Sequence, residues 1–141
     1  MSGLAAVVAG AGLALLYVTV ARRRPHVGER LVLAWGLVVA AALYVVFAIR
    51  TASLQWIGLE LLGLAVFSAI AAAGAWRWSS LLVVGWVTHV AWDVLLHGAA
   101  TPFVPSWYPP LCVGFDLVVA GAIIQRLRVW NGSRAARREG T

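Results

Sequence analysis

Three ionisable residues are spaced four positions apart in the apolar stretch THVAWDVLLHG, residues 88–98. They are His89, Asp93 and His97. In an α-helix, positions i, i+4 and i+8 lie along one face and drift by about 40° per step. The stretch therefore predicts a polar stripe about 12 Å long on an otherwise apolar helix. Imidazole and carboxyl groups bind metal ions and transfer protons, so the stripe could do either.

A metal site on this stripe needs ligands from other segments. One ion cannot reach both histidines, because metal–nitrogen bonds are about 2 Å long. Asp93 could bridge two ions with one histidine each, while Glu60 and Asp116 complete the coordination. A single ion held by one His–Asp pair and one further carboxyl is equally compatible. The predicted ligands of one or two divalent ions, zinc or iron, are His89, Asp93, His97 and Asp116.

The composition places these residues in a membrane protein. Of the 141 residues, 62% are hydrophobic and only 11% are charged, whereas soluble domains carry about 25% charged residues. The mean hydropathy is +0.90. The net charge of +6 comes from arginines between and after the apolar segments. We interpret these arginines as topology signals and expect no nucleic acid partner.

Five apolar segments are long enough to cross a bilayer, which takes about 20 residues. They cover roughly residues 3–21, 31–50, 54–74, 80–98 and 110–127. Their apolar runs are continuous, unlike the alternating strands of a β-barrel. The sequence predicts an all-α, polytopic five-helix bundle that forms a single transmembrane domain over residues 1–130. We expect residues 131–141 to be a flexible cytoplasmic tail.

The arginines also predict the orientation. With five spans, all of them except Arg50 fall on one side of the membrane. Cytoplasmic loops are enriched in arginine and lysine, so the N-terminus is predicted outside and the C-terminus in the cytoplasm. The expected location is the cell membrane, as an integral protein of a bacterial inner membrane.

Three acidic residues on three predicted helices share one depth. Glu60, Asp93 and Asp116 each lie about five or six residues, or 8–9 Å, below the predicted outer surface. Tyr44 on the second helix lies at the same level. Ionisable groups inside a membrane are costly and usually serve a function. This level is therefore the predicted site, with Glu60, Asp93 and Asp116 as catalytic acids or bases.

Aromatic residues and a proline-rich loop surround the predicted site. Trp92 lies beside the polar stripe, where its ring face could stabilise a cation, and it is counted among the catalytic residues. The segment HGAATPFVPSWYPPLC has four prolines and is predicted to be a stiff cap over the site. The predicted substrate pocket consists of Tyr44, Trp92, Trp107 and Cys112.

The last third of the chain resembles an uncharacterised family of small bacterial and fungal integral-membrane proteins. That family combines a His-x-x-Trp-Asp-x-x-x-His helix, a proline-containing loop and Cys-x-x-x-Asp. The motif falls here on His89, Trp92, Asp93, His97, Cys112 and Asp116, with Trp107 and Pro109 in the loop. The resemblance implies site residues but no reaction. More loosely, the chain resembles membrane isomerases of sterol metabolism, which use histidine and carboxyl groups in a five-helix bundle.

The leading hypothesis is a membrane-embedded enzyme that acts on a lipid or isoprenoid. In its metal form, the bound ions activate water or oxygen. In its metal-free form, Asp93 or Asp116 protonates a double bond or epoxide, as in an isomerase or cyclase. A proton- or metal-coupled transporter and a structural accessory subunit are the alternatives. Expected partners are membrane lipids, a lipophilic small molecule and a second copy of the chain, which the small-residue run AAVVAGAGLA would allow to pack closely.

Overall fold

The computed structural model describes residues 2–51, 53–98, 101 and 103–139, without the side chains of residues 51 and 133–139. Its five helices are α1 (Gly3–Arg22), α2 (His26–Thr51), α3 (Leu54–Trp76), α4 (Ser80–His97) and α5 (Tyr108–Glu139). Each is long and apolar enough to span a membrane, and no described residue lies in a β-strand. The prediction of an all-α integral membrane protein with five membrane-spanning helices is confirmed.

Successive helices run in opposite directions, so the bundle has two distinct ends. One end holds most of the arginines, including Arg22, Arg77 and Arg126, and we call it the arginine-rich end. The other holds the start of α1, the α2–α3 connection and the segment between α4 and α5, and we call it the 98–107 end. The most extensive helix packing is between α1 and α5, between α2 and α3, and between α4 and α5. Which end faces the cytoplasm stays a prediction.

Glycines bring α1 and α5 into close contact. A Cβ atom at Gly10 would lie 1.9 Å from the backbone oxygen of Leu111, and one at Gly114 would lie 2.1 Å from that of Val7. Any side chain at either position would push the two helices apart. The small-residue run of α1 therefore packs within the chain through Gly10, and its proposed role between two copies stays a prediction.

The polarity of the bundle is that of a membrane protein. Large apolar side chains such as Leu4, Leu62 and Leu95 are exposed on its outside. Among the residues with a described side chain, eight polar or charged ones are buried inside it: Glu29, Arg30, Glu60, Ser79, His89, Asp93, His97 and Asp116. Lipid solvates the apolar surface, while the costly polar groups find partners in the interior.

Two predicted boundaries differ from the structure. Helix α2 begins at His26 rather than near residue 31, so Glu29, predicted in a loop, is a buried helical residue. Its carboxylate accepts hydrogen bonds from Arg126 on α5, at 2.8–3.2 Å, and from Trp130 Nε1 at 3.0 Å. These bonds join the first turn of α2 to a part of α5 that lies near or beyond its predicted end.

Helix α5 accordingly spans Tyr108–Glu139, where the sequence predicted residues 110–127 and a flexible tail. The helical backbone of residues 131–139 agrees with the helix-forming alanines and arginines of that segment. Residues 140 and 141 of the predicted tail lie outside the described residues. So do residues 99, 100 and 102 of the predicted proline-rich cap.

Candidate functional site

The polar stripe of α4 faces the interior of the bundle. His89 and Asp93 are fully buried, and His97 is 3% exposed. On the same helix Leu95 is exposed on the outside. The four-residue spacing thus directs three ionisable side chains toward the neighbouring helices, as the sequence predicted.

Asp116 on α5 joins two members of the stripe in a compact cluster. His89 Nδ1 lies 2.7 Å from Asp116 Oδ2 and 3.6 Å from Asp93 Oδ2. Each of the three residues has a potential ligand atom, and these atoms lie within 4.8 Å of one another. We call this group the His–Asp–Asp cluster. It contains three of the four predicted metal ligands.

Several buried atoms of the His–Asp–Asp cluster have no hydrogen-bond partner among the described residues. They are His89 Nε2, Asp93 Oδ2 and Asp116 Oδ1. Buried polar atoms are normally paired with protein, water or an ion, and leaving them bare costs about 1–3 kcal/mol each. The cluster can therefore accept a metal ion, water or a polar substrate group.

Glu60 and His97 form a second polar group beside the first. Glu60 Oε1 lies 3.1 Å from His97 Nε2. Both atoms lack a hydrogen bond of good geometry, so we regard the contact as electrostatic. The other oxygen of Glu60 accepts a hydrogen bond from Trp92 Nε1 at 3.3 Å. His97, predicted as a metal ligand, thus pairs with Glu60 outside the His–Asp–Asp cluster.

Tyr44 on α2 connects the two groups. Its hydroxyl donates a hydrogen bond of 2.5 Å to Asp93 Oδ1. Its ring stacks on the His97 imidazole, with centroids 4.3 Å apart and planes 16° from parallel. Four helices, α2 to α5, therefore contribute to one buried polar network, which includes the three acidic residues that the sequence predicted at one level.

An apolar groove reaches this network from the side. It has a volume of about 460 Å³ and lies between α1, α2 and α5. Its walls include Leu13, Trp35, Val39, Leu111 and, at one point, Asp116. Leu13, Trp35 and Val39 are among the exposed apolar residues, so the groove opens on the lipid-facing surface.

Of the four residues of the predicted substrate pocket, Tyr44 and Cys112 belong to one buried apolar cluster, Trp92 packs against it, and Trp107 contacts its member Tyr108. Cys112 lines the groove, and Tyr44 is buried in the polar network. Trp92 packs against Phe67, with ring centroids 5.8 Å apart, and touches α3 at Gly63. Trp107 packs edge-on against Tyr108, with ring centroids 5.8 Å apart, and is 43% exposed.

The aromatic side chains that do line the groove are Tyr17, Trp35, Tyr108 and Phe115. Sequence reasoning missed them as pocket residues. Tyr108 and Phe115 lie within four residues of Cys112 on α5, and this proximity to a predicted pocket residue could have identified them. Tyr17 and Trp35 carry no such signal, because their place in the groove depends on how α1 and α2 pack.

No protein-family model matches this chain, and no curated protein or solved structure matches it either. The resemblance of the His-x-x-Trp-Asp-x-x-x-His motif to small integral-membrane proteins therefore stays a prediction.

Proposed function

We propose that this protein is a membrane-embedded enzyme that acts on a lipophilic substrate, a lipid or an isoprenoid. One observation carries the proposal: Asp116 belongs to the buried His–Asp–Asp cluster and also forms part of the wall of the apolar groove. A substrate that enters the groove from the bilayer would place a reacting carbon or oxygen next to an ionisable group. Such a meeting of an apolar pocket with a few convergent polar groups is typical of small-molecule sites.

The size and lining of the groove suit such a substrate. Its volume of about 460 Å³ lies within the usual range of ligand pockets, about 300–1,000 Å³. Its wall is almost entirely apolar, and the lining residues that carry a polar side-chain atom are Tyr17, Trp35, Tyr108, Cys112 and Asp116. Membrane lipids can exchange into it laterally, because its mouth lies among exposed apolar side chains.

In the metal form of the proposal, His89, Asp93 and Asp116 hold one divalent ion, zinc or iron. One nitrogen and two oxygens are a reasonable ligand set for either metal. Two carboxylates balance the double charge while His89 stays neutral, which removes the cost of burying like charges together. A bound ion would supply Lewis-acid activation of water or oxygen.

The metal-free form is favoured by a different observation. Tyr44 already donates to one oxygen of Asp93, and His89 already contacts one oxygen of Asp116. This pairing holds the two carboxyls without an ion, so that one can give a proton and the other accept it. Tyr17, Trp35 and Phe115 would then present ring faces to a cationic intermediate in the groove. Isomerisation or cyclisation of an isoprenoid fits this arrangement.

Metal analysis separates the two forms. We expect purified protein to contain stoichiometric zinc or iron, and Asp93→Asn and Asp116→Asn to lose it. His97→Gln is the matched control and should keep the metal, because His97 pairs with Glu60 instead. Absence of bound metal from wild-type protein, prepared both with and without a reductant, would leave only the acid–base form.

Comparative lipid analysis tests the enzyme proposal itself. Total lipids are extracted from cells that produce the wild type or Asp116→Asn at equal levels and are compared by untargeted mass spectrometry. We expect at least one lipophilic species to accumulate with Asp116→Asn and a related product to disappear. Identical lipid profiles in the native host would contradict the proposal.

The interior packing favours an enzyme over the transporter alternative. Between the polar network and the arginine-rich end, the core is filled by buried apolar side chains that include Leu37, Leu82 and Trp86. A transported ion would need polar groups along this path. Among the described residues, the unpaired buried atoms of this region are Arg30 Nε and Trp86 Nε1, which are hydrogen-bond donors and do not bind cations.

The membrane and the orientation belong to the proposal as well. We propose a bacterial inner membrane protein with the arginine-rich end in the cytoplasm, as the positive-inside rule indicates. Fluorescent and phosphatase fusions to the C-terminus test this. The proposed orientation requires a fluorescent fusion and an inactive phosphatase fusion.

A further inference from the structure

A second cavity lies on the other side of the His–Asp–Asp cluster. It has a volume of about 360 Å³ and lies at the 98–107 end, between α1, α4, α5 and the segment before α5. Its lining includes Asp93, Val94, His97, Thr101, Ser106 and Val113. We call it the 98–107 cavity. It reaches the surface at Gly98 and Ser106, which are exposed.

Three polar residues of this cavity have buried atoms that find no partner in the part of the chain that the structure describes. They are Asp93 Oδ2, His97 Nδ1 and Thr101 Oγ1. Water is the usual partner of such atoms when space allows. At about 30 Å³ per molecule, a cavity of about 360 Å³ has room for several waters. The cavity wall is mostly apolar, but it contains more polar surface than the wall of the apolar groove.

The two cavities are separated by packed helices and connected by the His–Asp–Asp cluster. The packed helices α1 and α5 lie between the two cavities. Gly10 packs there against Leu111, and Gly114 packs against Val7. Asp93 lines the 98–107 cavity, and Asp116 lines the groove. His89 Nδ1 lies between the two carboxyls, 3.6 Å from one and 2.7 Å from the other.

We propose that the 98–107 cavity is a water-filled vestibule, which brings solvent from the 98–107 end of the bundle to the side of the buried polar network formed by Asp93 and His97. The apolar groove approaches the same network from the lipid-facing side, at Asp116. The vestibule rests on the geometry of the cavity and does not depend on the proposed function.

Cysteine accessibility tests the vestibule without any substrate. Cys112 is the single cysteine of the sequence, so Cys112→Ser provides a thiol-free background. Val94→Cys is compared with Leu95→Cys in that background. Both positions are exposed and adjacent on α4, but only Val94 lines the cavity. Val113→Cys and Leu117→Cys form a second pair, one turn apart on α5. Val113 is half-buried and lines the cavity, whereas Leu117 is exposed and does not line it.

The probe is a charged, membrane-impermeant maleimide added to sealed vesicles of either orientation. Maleimides react with the thiolate, which forms far more readily in water than in lipid, and a charged maleimide does not enter lipid. We expect the Val94→Cys and Val113→Cys thiols to react about tenfold or more faster than their lipid-facing controls, from the side of the 98–107 end only. Val39→Cys in the groove should react with a lipophilic maleimide and resist the charged one.

If the two cysteines of each pair are labelled at equal rates by the charged maleimide, the vestibule proposal is wrong. Labelling of the vestibule positions by the lipophilic probe alone would also overturn it, and would identify the cavity as a lipid site. Because no activity is measured, this outcome is independent of the enzyme proposal. If the vestibule thiols react as expected but Asp116→Asn leaves the lipid profile unchanged, the enzyme proposal fails and the vestibule stands.

Discussion

Tyr44 donates a hydrogen bond of 2.5 Å to Asp93 Oδ1 while its ring stacks on His97 at 4.3 Å. One side chain of α2 thus holds two members of the α4 stripe. The hydroxyl satisfies an oxygen that would otherwise be bare in the interior, and the ring fixes the imidazole that faces Glu60. Tyr44 is therefore the structural link between the His–Asp–Asp cluster and the Glu60–His97 pair.

Replacement of Tyr44 by phenylalanine should uncouple these two roles. Tyr44→Phe keeps the stacked ring but leaves Asp93 Oδ1 without its donor, which we expect to cost about 1–2 kcal/mol of stability. Thermal unfolding in detergent measures the loss. Tyr108→Phe is the control, because Tyr108 is buried against the Tyr44 ring, 5.3 Å between centroids, and its hydroxyl is placed toward Cys112. Equal destabilisation by both variants would refute a special role of the Tyr44–Asp93 bond.

The contact between α1 and α5 should tolerate no added methyl group at Gly10. Gly10→Ala places a Cβ at 1.9 Å from Leu111 O, so the helices must separate, at an expected cost of about 1–3 kcal/mol. Gly12→Ala is the matched control, since a Cβ there meets no atom within 4 Å. Alanine should even stabilise the helix at that position, by up to about 1 kcal/mol. Unfolding midpoints that change equally in the two variants would contradict the close contact.

The ion pair of Glu29 and Arg126 should stabilise the arginine-rich end. Arg126→Gln leaves the buried carboxylate of Glu29 without its cation. Because a quarter of the Arg126 side chain is exposed, we expect a loss of about 2–4 kcal/mol, somewhat below that of a fully buried pair. Arg128→Gln removes the same charge from an exposed position of the same helix. A stability difference below about 0.5 kcal/mol between the two variants would show that the pair contributes little.

Closure of the apolar groove should abolish turnover without unfolding the protein. Val39→Trp fills the groove with an indole ring at a lipid-facing position. Val46→Trp is the control, because Val46 is a similarly exposed valine of α2 that does not line the groove. We expect the lipid profile with Val39→Trp to resemble that with Asp116→Asn, and the profile with Val46→Trp to resemble the wild type. If the lipid profile with Val39→Trp equals that of the wild type, the substrate does not bind in the groove.

Local sequence patterns were sufficient for much of the fold. Five continuous apolar segments predicted five spanning helices, because the bilayer requires that length of apolar chain. The four-residue spacing in THVAWDVLLHG predicted that His89, Asp93 and His97 share a face, because helix geometry alone sets that face. The common depth of Glu60, Asp93 and Asp116 followed from counting residues inward from helix ends, and the network of contacts at the 98–107 end agrees with it.

Pairing between helices could not be predicted in the same way. Glu29 and Arg126 are 97 residues apart, and no local pattern assigns one to the other. The α2 boundary was wrong for this reason: a charged residue near a helix end resembles a loop residue until its buried partner is known. The helical continuation of α5 past residue 127 depends in part on the same contact.

The sequence by itself determined that this protein spans a membrane with five helices and that His89, Asp93 and His97 share one face of the fourth. These properties depend on hydropathy and on helix periodicity, which are local. Only the tertiary structure decided which groups meet: His89 with Asp93 and Asp116, His97 with Glu60, and Asp116 with an apolar groove. Rotation and pairing of helices decide these contacts, and both result from packing among all five helices at once.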